Sequence, residues 1–284
     1  MQIQRGLKSG SSLTRFVLGA HPIIEHFVEM MRVREIISTY VRSDKRMRLD
    51  DDKALVLLIH NILTTPNALY EMQDWLQPLD AEKVGLAPRE CMFIQDDRIG
   101  RALARFYHSR HKDVFFHLAL RAIKIFRLDC SRVHHDTTSV TFSGKYPGWS
   151  VRELLAHGVN KDHRPDLKQL VLGLNVTGDG AVPISHRIYS GNQTDDRLHP
   201  ANHTALQKLL QRADYIYVAD CKLATEENLH KFSVWNGLFV SVMPRTWSED
   251  GQFRERVRRG KIKWKHILSR RNNRKPESKL DRYY

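Results

Sequence analysis

Cysteine is scarce in this chain and acid is in deficit. The three cysteines, Cys91, Cys130 and Cys221, are far apart and form no C-x-x-C pair. That excludes a disulfide framework and a cysteine-built zinc site, and it fits a reducing cytoplasm. No apolar run reaches the length of a bilayer span, and the leading "MQIQRGLKSGSSLTRF" lacks the apolar centre of an export signal, so neither export nor membrane insertion is expected. Repeats of fixed period and long Pro-rich or Gly/Ser-rich linkers are also missing. Acids number 32 against 46 Lys and Arg, a formal charge of +14. Such an excess favours a polyanionic partner, nucleic acid ahead of an anionic membrane surface. Most of it sits late: Arg245 to Arg282 holds fourteen basic and five acidic residues, a net of +9. A solvated, disordered basic tail is one reading of that stretch.

What is present falls into two halves of different period. From His21 to about Leu128 apolar residues recur at helical spacing, in "PIIEHFVEMMRVREIISTYV", "DDDKALVLLIHNILTT", "NALYEMQDWL", "DDRIGRALARFYHSR" and "KDVFFHLALRAIKIFRL". Five helices are expected, with Pro22 in a first turn and Asp50, Asn67 and Asp97 as N-caps. From Arg132 short β-rich runs take over: "RVHHDTTSVTF", "LKQLVLGLNVT" and "AVPISHRIY", the last two joined by a "GDG" turn. A helix near His199 to Arg212 follows, then "YIYVAD", a helix over "TEENLHKF" and "LFVSVM". The expected order is β-β-β-α-β-α-β. The fold class is therefore α+β, a helical N-terminal domain followed by an α/β core with a mixed sheet. The expected divisions are 1–20 (a flexible N-terminus), 21–128, 129–244 and a basic tail at 245–284.

Asp136 stands in the middle of the first strand. Aspartate is a poor strand former and costly to bury unpaired, so either it faces water or it is held there for chemistry. Asp220 ends the apolar run "YIYVAD", at the carboxyl end of a strand, where ligands bind in open α/β sheets. Three antiparallel strands, a helix and a strand match the front of a ribonuclease H-like core, whose fourth strand lies beside the first. That adjacency brings together two acids 84 residues apart. Neighbouring carboxylates repel unless a cation lies between them, and Mg²⁺, a hard cation that takes oxygen ligands, is the natural candidate.

The stretches "HHDTTSVTF", "HGVNKDHRPDLKQLVLGL", "YSGNQTDD" and "YVADCKLAT" together resemble the catalytic region of bacterial insertion-sequence transposases of the DDE type. The helical half is similar to the N-terminal domain of one branch of them. The resemblance implies DNA transposition by metal-dependent hydrolysis and strand transfer, with Mg²⁺ or Mn²⁺. Asp136 then corresponds to the first catalytic acid and Asp220 to the second, both as metal ligands. It also implies double-stranded DNA as partner (transposon ends and target), a homodimer at full length, and a bacterial cytoplasmic, nucleoid-associated location. The family's third acid lies in a Y-x-x-R-x-x-x-E pattern that this sequence does not contain. The chain is accordingly expected to be a truncated, inactive copy. Glu249, Asp250, Glu255, Glu277 and Asp281 are the available substitutes, none in a recognisable helix context. The alternative is a non-catalytic DNA-binding remnant or regulator of transposition.

Other candidates are weaker. Of His134 and His135 only His134 can share the face of Asp136, because strand neighbours point to opposite sides. "KDHRPDLK" supplies Lys161, His163, Arg164 and Lys168 as an active-site or DNA-facing loop, or an ordinary polar one, and Lys222 joins the DNA-contact set. Trp264 in "VRRGKIKWKHIL" could stack on bases, or belong to the core of a longer insertion. By the same resemblance the helical half could hold site-specific DNA binding, yet its helix "NALYEMQDWL" carries Glu71 and Asp74, a poor surface for DNA, so a core or dimerisation role suits that helix at least as well.

Overall fold

The computed structural model describes residues 15–42, 44, 46–144, 146, 154–158, 164–193, 197–271 and 280–284. In the first half α1 (His21–Met30), α2 (Val33–Tyr40), α3 (Asp51–Thr64), α4 (Met72–Leu76), α5 (Asp96–His108) and α6 (His111–Phe126) enclose one apolar core. Leu49, Leu57, Met72, Ile94 and Ile99 are its largest fully buried apolar side chains. No helix among the described residues is long and apolar enough to cross a membrane.

The single helix expected over residues 22–41 is two. Arg32 takes a left-handed conformation at φ 53 and turns the chain between α1 and α2. A non-glycine residue pays about 1–2 kcal/mol there, and tertiary contacts outweigh it. Val28 on α1 and Val33 and Ile37 on α2 all reach the same core. Arg34 also forks back onto Glu25 at 2.5 and 2.8 Å, while His60 Nε2 lies 3.2 Å from the same carboxylate. Burial raises the Glu25 carboxyl, but the bonds from His60 and Arg34 overcome this and hold it at about 2. Capping also differs from expectation. Asp50 holds the N-cap position of α3 without a side-chain bond, Gln95 rather than Asp97 precedes α5, and Ala68 rather than Asn67 precedes the short 3₁₀ turn Leu69–Glu71. Val17 pairs with Leu79, which ties down part of the N-terminal segment expected to be free.

The second half is a mixed sheet of β1 (Arg132–Phe142), β2 (Ala156–His157), β3 (Lys168–Thr177), β4 (Pro183–Ser190), β5 (Ile216–Val218) and β6 (Leu238–Val240). Its order is β4-β3-β1-β5-β6, with the two-residue β2 continuing along the β4 edge of β3. β1, β3 and β4 are antiparallel neighbours, and β5 and β6 run parallel to β1. This is the ribonuclease H-like arrangement expected from the sequence. Helices α7 (His199–Leu210) and α8 (Glu226–Val234) supply Leu206, Leu209 and Phe232 to a second core against Val133, Tyr215 and Tyr217. Helix α6 joins the halves: Val114 belongs to the first core, Leu120 and Ile123 pack on the second, and Phe115 meets His186 of β4 edge-on at 4.5 Å.

The basic tail is more ordered than expected, with α9 (Ser248–Arg258) and an exposed ribbon of β7 (Leu268–Arg270) and β8 (Asp281–Tyr283).

Candidate functional site

Strand β1 is long and β5 short, so the sheet steps down beside the middle of β1. The two run parallel, with Arg132 beside Ile216, Val133 beside Tyr217 and His134 beside Val218. Asp136 lies two residues past the last β1 residue paired with β5, and Asp220 lies two residues past the end of β5. Alternation fixes the side: Val133, His135, Tyr217 and Ala219 are buried, whereas Asp136 and Asp220 are exposed. Asp136 therefore lies on the face of β1 turned away from α7 and α8, and Asp220 is exposed past the end of β5.

Each carboxylate is anchored by one oxygen. Asp136 Oδ1 accepts the Thr137 backbone N–H at 2.8 Å, and Asp220 Oδ1 accepts that of Lys222 at 2.9 Å. Neither Oδ2 has a hydrogen-bond partner among the described residues. Ser241 Oγ donates to the Asp220 carbonyl at 2.6 Å and the Ala219 N–H to the Val240 carbonyl at 3.1 Å, so the segment after β6 steadies the loop that carries Asp220. Two anchored, exposed carboxylates, one on β1 and one just past β5, suit a hard divalent cation. Among the described residues no group of three His, Cys, Asp or Glu side chains forms a fuller ligand set.

The remaining expected site residues are scattered. Lys222 is exposed two residues past Asp220. Lys168 pairs with Phe142, whereas Asp136 pairs with Leu174. Six residues of strand put Lys168 about 20 Å from the level of Asp136, so it does not join the acids. Arg164 forks onto Asp166 at 2.8 and 2.7 Å, which neutralises it locally. Lys161 and His163 lie outside the described residues. Among the substitute acids, Glu249, Asp250 and Glu255 do stand on a helix, contrary to expectation. Asp250 is 2.6 Å from Arg254 and Glu255 is 2.7 Å from Arg259. Asp281 is exposed on β8, and Glu277 lies outside the described residues.

The sequence reading missed what lies behind Asp136. On the opposite face His135 Nδ1 meets Asn175 Oδ1 at 3.0 Å, and Asn202 Nδ2 donates to Asn175 Oδ1 at 2.7 Å and to the Tyr217 hydroxyl at 3.0 Å. His199 Nδ1 is 3.1 Å from the same hydroxyl. The network ties β1, β3, β5 and α7 together beneath the acids, and burial pushes the Tyr217 hydroxyl far above its ordinary range. Two glycines of the family-like stretches also have a packing cause. A side chain on Gly158 would stand 2.1 Å from the Gly191 carbonyl oxygen, and one on Gly191 would stand 2.0 Å from that of Gln169.

His203 on α7 is fully buried against Phe232 and Trp235, and neither ring nitrogen has a hydrogen-bond partner among the described residues. Burial lowers its pKa from 6.5 to about 4. The neutral ring therefore stabilises the fold above pH 6.5, and that contribution is lost as pH falls toward 4. A shift of that size is worth up to about 3 kcal/mol. Urea unfolding at pH 7 and pH 4 should show the native chain losing about that much more than His203→Phe, and equal losses would refute the assignment.

Residues 16–120 match a family model described only as a domain of unknown function, DUF4277. No curated protein sequence matches the chain. Among solved structures it is similar to a piggyBac transposase in a synaptic complex with hairpin DNA, at TM-score 0.46 and 13% identity over 78% of this chain and 52% of that one. It is also similar to the Mos1 transposase in a paired-end complex with the left transposon end, at TM-score 0.27 and 14% identity over 74% of this chain and 62% of that one. The Mos1 strand transfer complex gives TM-score 0.27 and 13% identity over 78% and 66%. The chain thus spans about half the length of the piggyBac transposase and less than two thirds of the Mos1 chains.

Proposed function

We propose that this chain is the DNA-processing part of an insertion-sequence transposase of the DDE type, with Asp136 and Asp220 as the acids that hold a divalent cation, Mg²⁺ or Mn²⁺. The observation that carries the reading is that β5 runs parallel beside β1, with one exposed carboxylate, Asp136, within β1 and another, Asp220, two residues past the end of β5, 84 residues away in sequence. Mg²⁺ is commonly held by one or two carboxylates together with substrate phosphates, which suits a pair of acids with open oxygens. A cation bound there would activate an attacking oxygen and stabilise the leaving oxygen of a phosphodiester. The Thr137 and Lys222 backbone N–H groups hold the two carboxylates in place, and the exposed Lys222, two residues past Asp220, is the proposed phosphate contact. The charge of +14 draws in duplex DNA, at element ends and at the target. On this reading residues 21–128 and 129–244 are separate domains, each with its own core, and the full-length protein works as a homodimer.

With two acids and no third in a ligand group among the described residues, strand cleavage by this chain alone is expected to be slight. Binding and cleavage assays on the same element-end duplexes in Mg²⁺ test this. DNA binding without nicking is the expected result. Robust Mg²⁺-dependent nicking that Asp220→Ala abolishes would overturn the expected inactivity and uphold the metal site. The second reading, a DNA-binding remnant without chemistry, is favoured by the same lack of a third ligand. It requires binding that ignores both divalent ions and the Asp136→Ala and Asp220→Ala changes.

A further inference from the structure

The helical half contains an arginine-lined pocket that the reading above does not use. Arg98, Arg101 and Arg105 recur at i, i+3 and i+7 along α5, which places them on one helix face. Arg48 approaches from the segment before α3, and with Leu49 and Phe93 these arginines line a cavity of about 290 Å³. Asp51, fully buried beneath, sets two of them. It accepts Arg105 through Nε and Nη2, both at 2.7 Å, and Arg98 Nη2 lies 2.8 Å away. Arg98 also donates to the Leu49 carbonyl at 2.6 Å, so it is committed to the scaffold. Arg105 keeps its Nη1 without a partner among the described residues.

The rim is open. Arg48 has no carboxylate partner among the described residues, and its guanidinium carbon stands 5.3 Å from the Phe93 ring centre. Arg101 meets only the exposed Asp97, at 3.6 Å. The other nearby acid, Asp44, is exposed and 3.9 Å from Arg46, and it bears on Arg105. Four guanidiniums face one buried carboxylate, Asp51, and two exposed ones, Asp97 and Asp44, so the cavity keeps a net positive charge.

We propose that this pocket binds a phosphate group, and that its source is the backbone of duplex DNA engaged away from Asp136 and Asp220. The planar fork of guanidinium matches phosphate oxygens two at a time, and a pre-set Arg105 beside the exposed Arg48 and Arg101 supplies several such donors around one anion. The choice of DNA as source rests on the DNA-binding reading above. The presence of a phosphate site does not.

The test uses the full chain and the double variant Arg48→Ala/Arg101→Ala, which spares both ligands of Asp51. In one arm, inorganic phosphate is compared with chloride at equal ionic strength in thermal unfolding. Phosphate should raise the melting temperature of the native chain more than that of the variant. In the other arm, duplex affinity is measured against salt. The variant should bind at least about 10-fold more weakly, with a slope of log K on log salt shallower by about 1 per lost phosphate contact. Equal phosphate shifts in both proteins would overturn the pocket, whatever the chain does with DNA. A phosphate shift confined to the native chain, with an unchanged DNA slope, would overturn the duplex as source and assign the site to a small phosphate compound. Because the phosphate arm needs no DNA, failure of the pocket and failure of the proposed function are told apart.

Discussion

Replacing Asp51 with alanine should destabilise the helical half by about 3–5 kcal/mol, the usual cost of removing one partner from a buried ion pair. Asp51 is fully buried and holds two guanidiniums. Burial alone would raise its carboxyl pKa, but the bonds from Arg105 and Arg98 reverse that and leave it below its ordinary value. Its stabilising contribution is accordingly present above about pH 4 and is lost as pH falls through the depressed value. Without the carboxylate, Arg98, whose side chain is 12% exposed, is left with an uncompensated charge. Denaturant unfolding measures the effect. The triple change Asp51→Ala/Arg98→Met/Arg105→Met should recover much of the loss, since exchanging a whole buried ionic group for apolar side chains is often near neutral. A cost below about 1 kcal/mol for Asp51→Ala would mean that the arginines find water or other partners.

The second large effect concerns the acids themselves. Asp136→Asn and Asp220→Asn each remove a direct ligand of the proposed cation while keeping side-chain size and an amide oxygen for the anchoring N–H. Loss of a residue that merely supports a ligand costs 10–100-fold in metal affinity. Loss of a ligand itself should therefore cost on the order of 100-fold or more in each variant, with little change in the fold, because both side chains are exposed.

Much of this site was legible before any coordinates. An aspartate inside a β-rich run and another at the end of an apolar strand are local signals, and the strand order that brings them together follows from element order. The register does not, because no local pattern says that residue 132 meets 216 rather than 217, and a slip of one would turn one acid to the other face. The break at Arg32 was hidden because the apolar period runs through it, and only the shared core and the Glu25–Arg34 pair reveal why the chain turns. Helix α9 was missed for the opposite reason. "SEDGQFRERVR" has no apolar stripe, and its turns are supported by Asp250–Arg254 and Glu255–Arg259 at i,i+4. Hydrophobic patterning also hides the inner face of β3, where Gln169, Asn175 and Thr177 are buried and the intervening leucines are only half-buried. A polar network is stable there because Asn175 meets His135, Ser185 and Asn202, partners that come from three other elements.

The most direct test of the paired-acid site is Mn²⁺ binding to the full chain, followed by electron paramagnetic resonance of the free ion, for the native protein and for Asp136→Asn and Asp220→Asn. The expected result is a site in the native chain that either substitution weakens by about 100-fold or more. Native-like Mn²⁺ binding in both variants would contradict the assignment of Asp136 and Asp220 as partners at one metal.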